Sequence, residues 1–151
     1  MPRQLNLTIW PDLNLVSVVR RFAEEALEKA LDDLDAVSRA AMAVHELVEN
    51  AAKYGSGGAI DLHVELEGAE ITIEVTNRAT PEAQNALRAA FAEMEMADSP
   101  LDHYQALLRR AARRTTGSGL GLARVAFEGE MSVAARFDGD AVRVRAVTRA
   151  S

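Results

Sequence analysis

Apolar residues recur along the chain with two periods, and the switches between them divide it into elements. Residues 3 to 9 alternate, with Leu5, Leu7 and Ile9 on one side; that is the two-residue period of a half-buried strand. Trp10-Pro11 ends it. From Asp12, a residue suited to capping, the period lengthens. Leu15, Val18, Val19, Phe22, Ala26 and Ala30 predict a helix to about Asp32. Asp32-Asp33-Leu34-Asp35 is a break, with Asp35 the expected cap of a second helix. That helix covers about Ala36 to Tyr54 and stops at Gly55-Ser56-Gly57-Gly58. It carries an apolar stripe, Val37, Ala41, Val44, Val48 and Ala51, and on nearly the opposite side a polar one, Glu46, Glu49, Asn50 and Lys53.

The two-residue period returns over Ile60 to Leu66 and Glu70 to Asn77, which predict a hairpin about Glu67-Gly68-Ala69. Ile71, Ile73 and Val75 share a face. Residues 80 to 114 read as two helices, the first with Pro81 in its opening turn and the second over Leu101 to Arg114, separated by Asp98-Ser99-Pro100. A glycine-rich turn then opens a short helix to about Phe127, and the segments M-S-V-A-A-R-F and A-V-R-V-R-A-V close the chain as a second hairpin. The order β-α-α-β-β-α-α-loop-α-β-β predicts an α/β (α+β) two-layer sandwich, with helices on one face of a mixed or antiparallel sheet.

Composition narrows the function more than the fold. The 151 residues suit one domain, residues 1–151. The absence of cysteine excludes a disulfide scaffold, a thiolate metal site and a cysteine nucleophile. Seventeen basic against 23 acidic residues give −6, which argues against broad binding to nucleic acid or an anionic membrane. No apolar run is long enough to span a bilayer, and the segment M-P-R-Q-L-N-L lacks a signal-peptide core, so a cytoplasmic location is expected.

Three segments can carry chemistry. In H-E-L-V-E-N-A-A-K-Y-G, residues 45 to 55, Glu46 and Asn50 lie one helical turn apart and side by side. An amide oxygen is a hard, uncharged ligand for Mg²⁺, and a neighbouring carboxylate can orient or deprotonate a hydroxyl. The same residues also read as a solvated face with a Glu49–Lys53 pair. The resemblance of H-E-L-V-E to a zinc-protease helix fails, because Glu49 replaces the second histidine. His45 reads as a partly buried structural residue. The second segment is G-S-G-L-G-L, residues 117 to 122, where glycines permit close backbone approach and the following helix offers N–H groups to an anion. It is neither a Walker loop, lacking Lys-Ser/Thr, nor a dinucleotide fingerprint, lacking a strand before it. The third is Arg109, Arg110, Arg113 and Arg114, able to grip phosphates or an acidic partner, or simply to complement a helix C-terminus.

Together these motifs resemble the GHKL ATPase superfamily, the Bergerat fold. The single-domain bacterial anti-sigma-factor serine kinases of the RsbW and SpoIIAB kind are the most similar branch. Glu46-x-x-x-Asn50-Ala51 resembles the family's N box and Gly117-Ser118-Gly119-Leu120-Gly121-Leu122 its G2 box. The resemblance implies that Asn50 holds Mg²⁺ and that Glu46 is the general base or its orienter. It implies a nucleotide site of Asn50, Lys53, Asn77, Ala79, Thr116, Gly117, Ser118, Gly119, Leu120, Gly121 and Leu122, with residues 98 to 116 as a lid. It further implies ATP and Mg²⁺ as cofactors and phosphorylation of serine or threonine on a partner (a STAS-domain protein, a SiaC-like protein or a sigma factor), and it allows a homodimer. The G1 box departs from the pattern. Asn77 stands where the adenine-reading Asp belongs and Ala79 where a glycine belongs, which implies weaker or altered adenine recognition. The Asn, and a tyrosine-bearing lid segment Leu101–Leu108 before Gly119-Leu120-Gly121-Leu122, are similar to SiaB-like kinases. The alternative is a degenerate GHKL module that neither binds nor hydrolyses ATP and acts by protein contact.

Overall fold

The computed structural model describes residues 1–112 and 119–151. Strand β1 (Arg3–Ile9) is followed by helices α1 (Val16–Ala30) and α2 (Leu34–Tyr54), then by β2 (Ile60–Glu67) and β3 (Glu70–Arg78). Helices α3 (Pro81–Met96), α4 (Pro100–Ala111) and α5 (Leu120–Phe127) come next, and β4 (Ser132–Asp138) and β5 (Ala141–Arg149) complete the order. The strands form one sheet in the order β1-β2-β3-β5-β4, antiparallel at every junction.

Alternation fixes which face of the sheet is covered. Ile60, Leu62 and Val64 of β2, Ile71, Ile73 and Val75 of β3, and Val142, Val144 and Ala146 of β5 are buried beneath the helices. Register sets them in rows, Leu62 opposite Val75 and Val75 opposite Val144. The intervening residues face away, and there the sheet is polar: Thr8 donates to Asp61 at 2.7 Å, and Arg143 lies 3.6 Å from Glu74. A one-residue slip would exchange the two faces, so burial pins the register.

Helix α2 is the centre of the helical layer. The expected stripe Val37, Ala41, Val44, Val48 and Ala51 is buried, and so are Ala36, Ala40, Ala43 and Leu47. The stripe is wider than a surface helix needs because α2 packs against the sheet, α1 and α5 at once. Its cap is Asp33, not Asp35. Asp33 is extended and accepts from Ala36 N at 3.0 Å, while Asp35 is already helical and pairs with Arg39. The N–H groups of Ser151 and then Ala36 hold the Asp33 carboxyl below its ordinary value. Arg39 also donates to Gly129 O at 3.0 Å and to Thr148, tying α2 to the end of the sheet away from Asn50.

Two further expectations are corrected. Asp12 caps a 3₁₀ turn, Leu13–Leu15, by accepting from Asn14 N, and α1 begins only at Val16. The buried face of α1 is Val16, Val19, Ala23 and Leu27; Val18 and Phe22 are about half exposed, at 52% and 48%. Both rows satisfy helical spacing, and packing against α2 selects the first.

Candidate functional site

A cleft opens where α2, α3 and the turn before α5 meet over the ends of β3 and β5. It encloses about 820 Å³ of non-atom space, open solvent included. Leu47, Asn50, Ala51 and Tyr54 line it from α2; Val75, Asn77, Val142 and Val144 form its floor; Ala83, Leu87 and Ala90 form the α3 wall; Gly119 and Leu122 close the α5 end. The lining is therefore apolar, with Asn50 and Asn77 the two carboxamides in it. A flat, hydrophobic ligand part suits such a slot, with polar groups at its ends.

The floor ends in a tied corner. Asn77 Nδ2 donates to Arg78 O at 3.1 Å, and Ser56 N donates to the same carbonyl at 2.9 Å. One N–H of Asn77 is thus spent on backbone, leaving Oδ1 and one N–H for a ligand. Ala79 is buried; its N–H donates to Asp140 O at 2.8 Å. Gln84 Nε2 then donates to both Ala79 O and Gly139 O, and Arg78 pairs with Asp140 at 2.6 Å. The turn between β4 and β5 is thereby fastened to the start of α3, which carries the cleft's outer wall. Thr80 caps α3 by accepting from Ala83 N, with Pro81 in its first turn.

At the α5 end, Gly119 has φ +92 and is the N-cap of α5; that left-handed backbone is one a glycine adopts without cost. At Gly121 the space is taken by a neighbouring side-chain end. A Cβ there would lie 2.6 Å from Glu46 Oε2 and 3.7 Å from Asn50 Nδ2. Glu46 and Asn50 therefore sit side by side, as their spacing predicted, against the first turn of α5. That turn presents N–H groups without intrahelical partners.

Glu46 is not solitary. Its Oε1 accepts from Arg124 Nη1 at 3.0 Å, and its side chain is only 12% exposed. Arg124 Nε lies 3.5 Å from Glu128 Oε2, and Glu128 Oε1 accepts from the Tyr104 hydroxyl of α4 at 3.1 Å. The Tyr104 hydroxyl, then the Glu46 and Glu128 carboxylates, hold the Arg124 guanidinium above its ordinary value against the opposing effect of burial. Tyr104 also packs with Leu107, Ala123 and Leu120 in a small second core between α4 and α5.

The other expected site residues are placed as follows. Lys53 donates to Glu49 at 2.7 Å and is not among the cleft-lining residues. Hydrogen bonding between these two raises the Lys53 value and lowers that of Glu49. The pair is solvated and contributes about 0.3–0.5 kcal/mol. His45 is partly buried, with Nε2 3.0 Å from Glu49 Oε2. Leu120 turns toward α4 rather than the cleft. Arg110 pairs with Glu93 at 3.2 Å, joining α4 to α3, and Arg109 is exposed. Thr116, Gly117, Ser118, Arg113 and Arg114 lie outside the described residues. The α3 wall and Arg124 were not anticipated. The wall's signal is its run of alanines at helical spacing, and that of Arg124 is its position three residues after Gly121.

A sequence profile described as "Histidine kinase-like ATPase domain" matches residues 9–146. The chain belongs to that family. Its element order and five-stranded antiparallel sheet are those expected of a GHKL, Bergerat-type ATPase fold. No match to a curated protein was found. A solved structure described as the SiaB-SiaC complex from Pseudomonas aeruginosa is similar in fold, with a TM-score of 0.67 at 15% identity over 94% of this chain and 89% of the other. Among the described residues no helix is long and apolar enough to cross a membrane.

Proposed function

We propose that this histidine kinase-like ATPase domain, a single domain over its 151 residues, binds ATP with Mg²⁺ in the cleft and phosphorylates a serine or threonine of a regulatory protein partner. The observation that carries the reading is the meeting of Glu46, Asn50 and the first turn of α5 at one end of an apolar slot. The slot fits a planar base. At its floor Asn77 offers one acceptor and one donor, which complement the amine and a ring nitrogen of adenine. The N–H groups of α5 face the end where phosphates would lie. No cluster of three or more His, Asp or Glu suited to a metal occurs among the described residues. The donor set is instead one neutral amide, Asn50, which fits Mg²⁺ completed by phosphate oxygens and water. The ion would neutralise charge on the transferring phosphoryl group.

In the transfer, the partner's hydroxyl oxygen bonds to the γ-phosphorus as the bond to the bridging oxygen breaks. ADP leaves, and the hydroxyl proton passes to Glu46. The chain's own work is positioning: the slot holds the base and α5 the phosphates. The similar structure is described as a SiaB–SiaC complex, which supports a protein partner of the SiaC or STAS kind. Replacing Asn50 with Ala should abolish Mg²⁺-dependent nucleotide affinity in calorimetry; unchanged affinity would remove the assignment.

A second reading has its own support. Glu46 is engaged by Arg124, and Asn77 and Ala79 depart from the family pattern. Those features favour a module that acts by protein contact without nucleotide. Absence of any nucleotide effect on melting at millimolar ATP would establish it.

A further inference from the structure

We propose that Arg124 is a positioning residue for Glu46, and that Tyr104 on α4, acting through Glu128, sets how firmly Arg124 holds that carboxylate. The inference rests on the reading of Glu46 as the proton acceptor. Three elements meet in one short chain of polar contacts. Glu46 of α2 accepts from Arg124 of α5 at 3.0 Å; Arg124 reaches Glu128, one turn further along α5, at 3.5 Å; Glu128 accepts from Tyr104 of α4 at 3.1 Å.

In this arrangement Oε1 of Glu46 is spent on the guanidinium, while Oε2 faces Gly121, whose missing Cβ leaves room beside it. Releasing Arg124 opens Oε1. The release is inexpensive because one cation is shared by two carboxylates. A guanidinium leaving Glu46 closes on Glu128 at i+4 spacing and is not left unpaired. What holds Glu128 in place is the Tyr104 hydroxyl, and the Tyr104 ring is seated on α5, 5.6 Å from the Phe127 ring. When α4 moves, Tyr104 leaves Glu128, both Glu128 oxygens become available to Arg124, and Arg124 lets go of Glu46. The chain of contacts thus couples the position of α4 to the availability of the base. A partner that displaces α4 would activate the site it docks beside.

The test is ATP hydrolysis by the full chain without partner, where water is the acceptor. Arg124→Met removes every donor, and the rate should rise about three- to tenfold. Arg124→Lys keeps one charged donor, and its rate should stay within twofold of the parent. Tyr104→Phe should raise the rate in the same direction as Arg124→Met. The double variant should match Arg124→Met alone, because Tyr104 acts through Arg124. Arg124 is 39% exposed, so these variants should fold, and the melting shift produced by ATP should persist in all of them. Parent-like rates for Arg124→Met and Tyr104→Phe, with Glu46→Gln inactive, would overturn the relay and leave Glu46 as the base. A parent-like rate for Glu46→Gln would overturn the base assignment and the relay with it. If hydrolysis falls below detection, the ¹⁵N-detected Nε–H resonance of Arg124 carries the test. Both Tyr104→Phe and Glu46→Gln should shift it, and a resonance that ignores Tyr104→Phe overturns the proposal.

Discussion

Gly121 is where two side chains most directly depend on a missing one. A Cβ built on it would lie 2.6 Å from Glu46 Oε2, so a methyl group there must push aside a carboxylate that Arg124 holds. Gly121→Ala should cost about 1–3 kcal/mol, as overpacking does, read from the urea midpoint. In a Glu46→Ala background the obstacle is gone. The same change should then become neutral or stabilise by up to about 1 kcal/mol, since alanine favours the helix. An equal cost in both backgrounds would show that the contact is not what limits residue 121. Asn77 makes a different point at this scale. Read as sequence, it placed donors where an acceptor was expected; in the fold one N–H is consumed by Arg78 O, so the conflict is smaller than the substitution suggests. That partner is a backbone carbonyl, which no side-chain pattern reports.

Among the elements, α4 is held chiefly by α5. It meets that helix through the small cluster of Tyr104 and Leu107 and the Tyr104–Glu128 hydrogen bond, and α3 through the Arg110–Glu93 pair. His103 is buried on it, and burial lowers its value from that of a free histidine. The sign of the consequence follows. The unfolded or undocked helix binds the proton more readily than the docked one, so docking is at full strength above the ordinary histidine value of about 6.5. It weakens as pH falls from there toward the lowered value. The protection factors of amides in Pro100–Ala111, with the slowing of intrinsic exchange at lower pH divided out, should therefore fall as pH goes from 7.5 to 5.5. His103→Gln should flatten that dependence, and protection insensitive to pH in the parent would contradict the account. Elements of this kind were legible only in part. The existence of α4 followed from its periodicity and Ser99-Pro100 start. Its seat on α5 depends on Tyr104 meeting Glu128, which only the fold brings together. The same holds for α1, where two rows of apolar residues were equally spaced and packing chose Val16, Val19, Ala23 and Leu27. Asp33 outcompeted Asp35 as the α2 cap because its backbone is extended, a property two neighbouring aspartates do not advertise.

For the molecule as a whole, the layer order was readable because both periods are strong and the hairpin turns are short. Every strand began within one residue of its expectation, and β5 ran two residues beyond its expected end. The core follows from the same pattern, and Ile73 at its centre is fully buried. Ile73→Ala should cost about 2–5 kcal/mol, visible as a lower denaturant midpoint without a change in slope. Of the candidate site, the Glu46/Asn50 pair and the glycines at 119 and 121 were legible as motifs, since each is local. Its apolar wall and its arginine were not, since Arg124 meets Glu46 across 78 positions of sequence. What unites these scales is the claim that the cleft takes a nucleotide through Asn50 and magnesium. Thermal melting of the full chain with ATP, with and without Mg²⁺, tests it most directly. At 100-fold excess over its dissociation constant, MgATP should add about 2.7 kcal/mol, or about 5–10 °C for a domain of this size. Asn50→Ala should remove that shift. Melting that ignores MgATP in the parent chain, or that shifts equally in Asn50→Ala, would contradict the account.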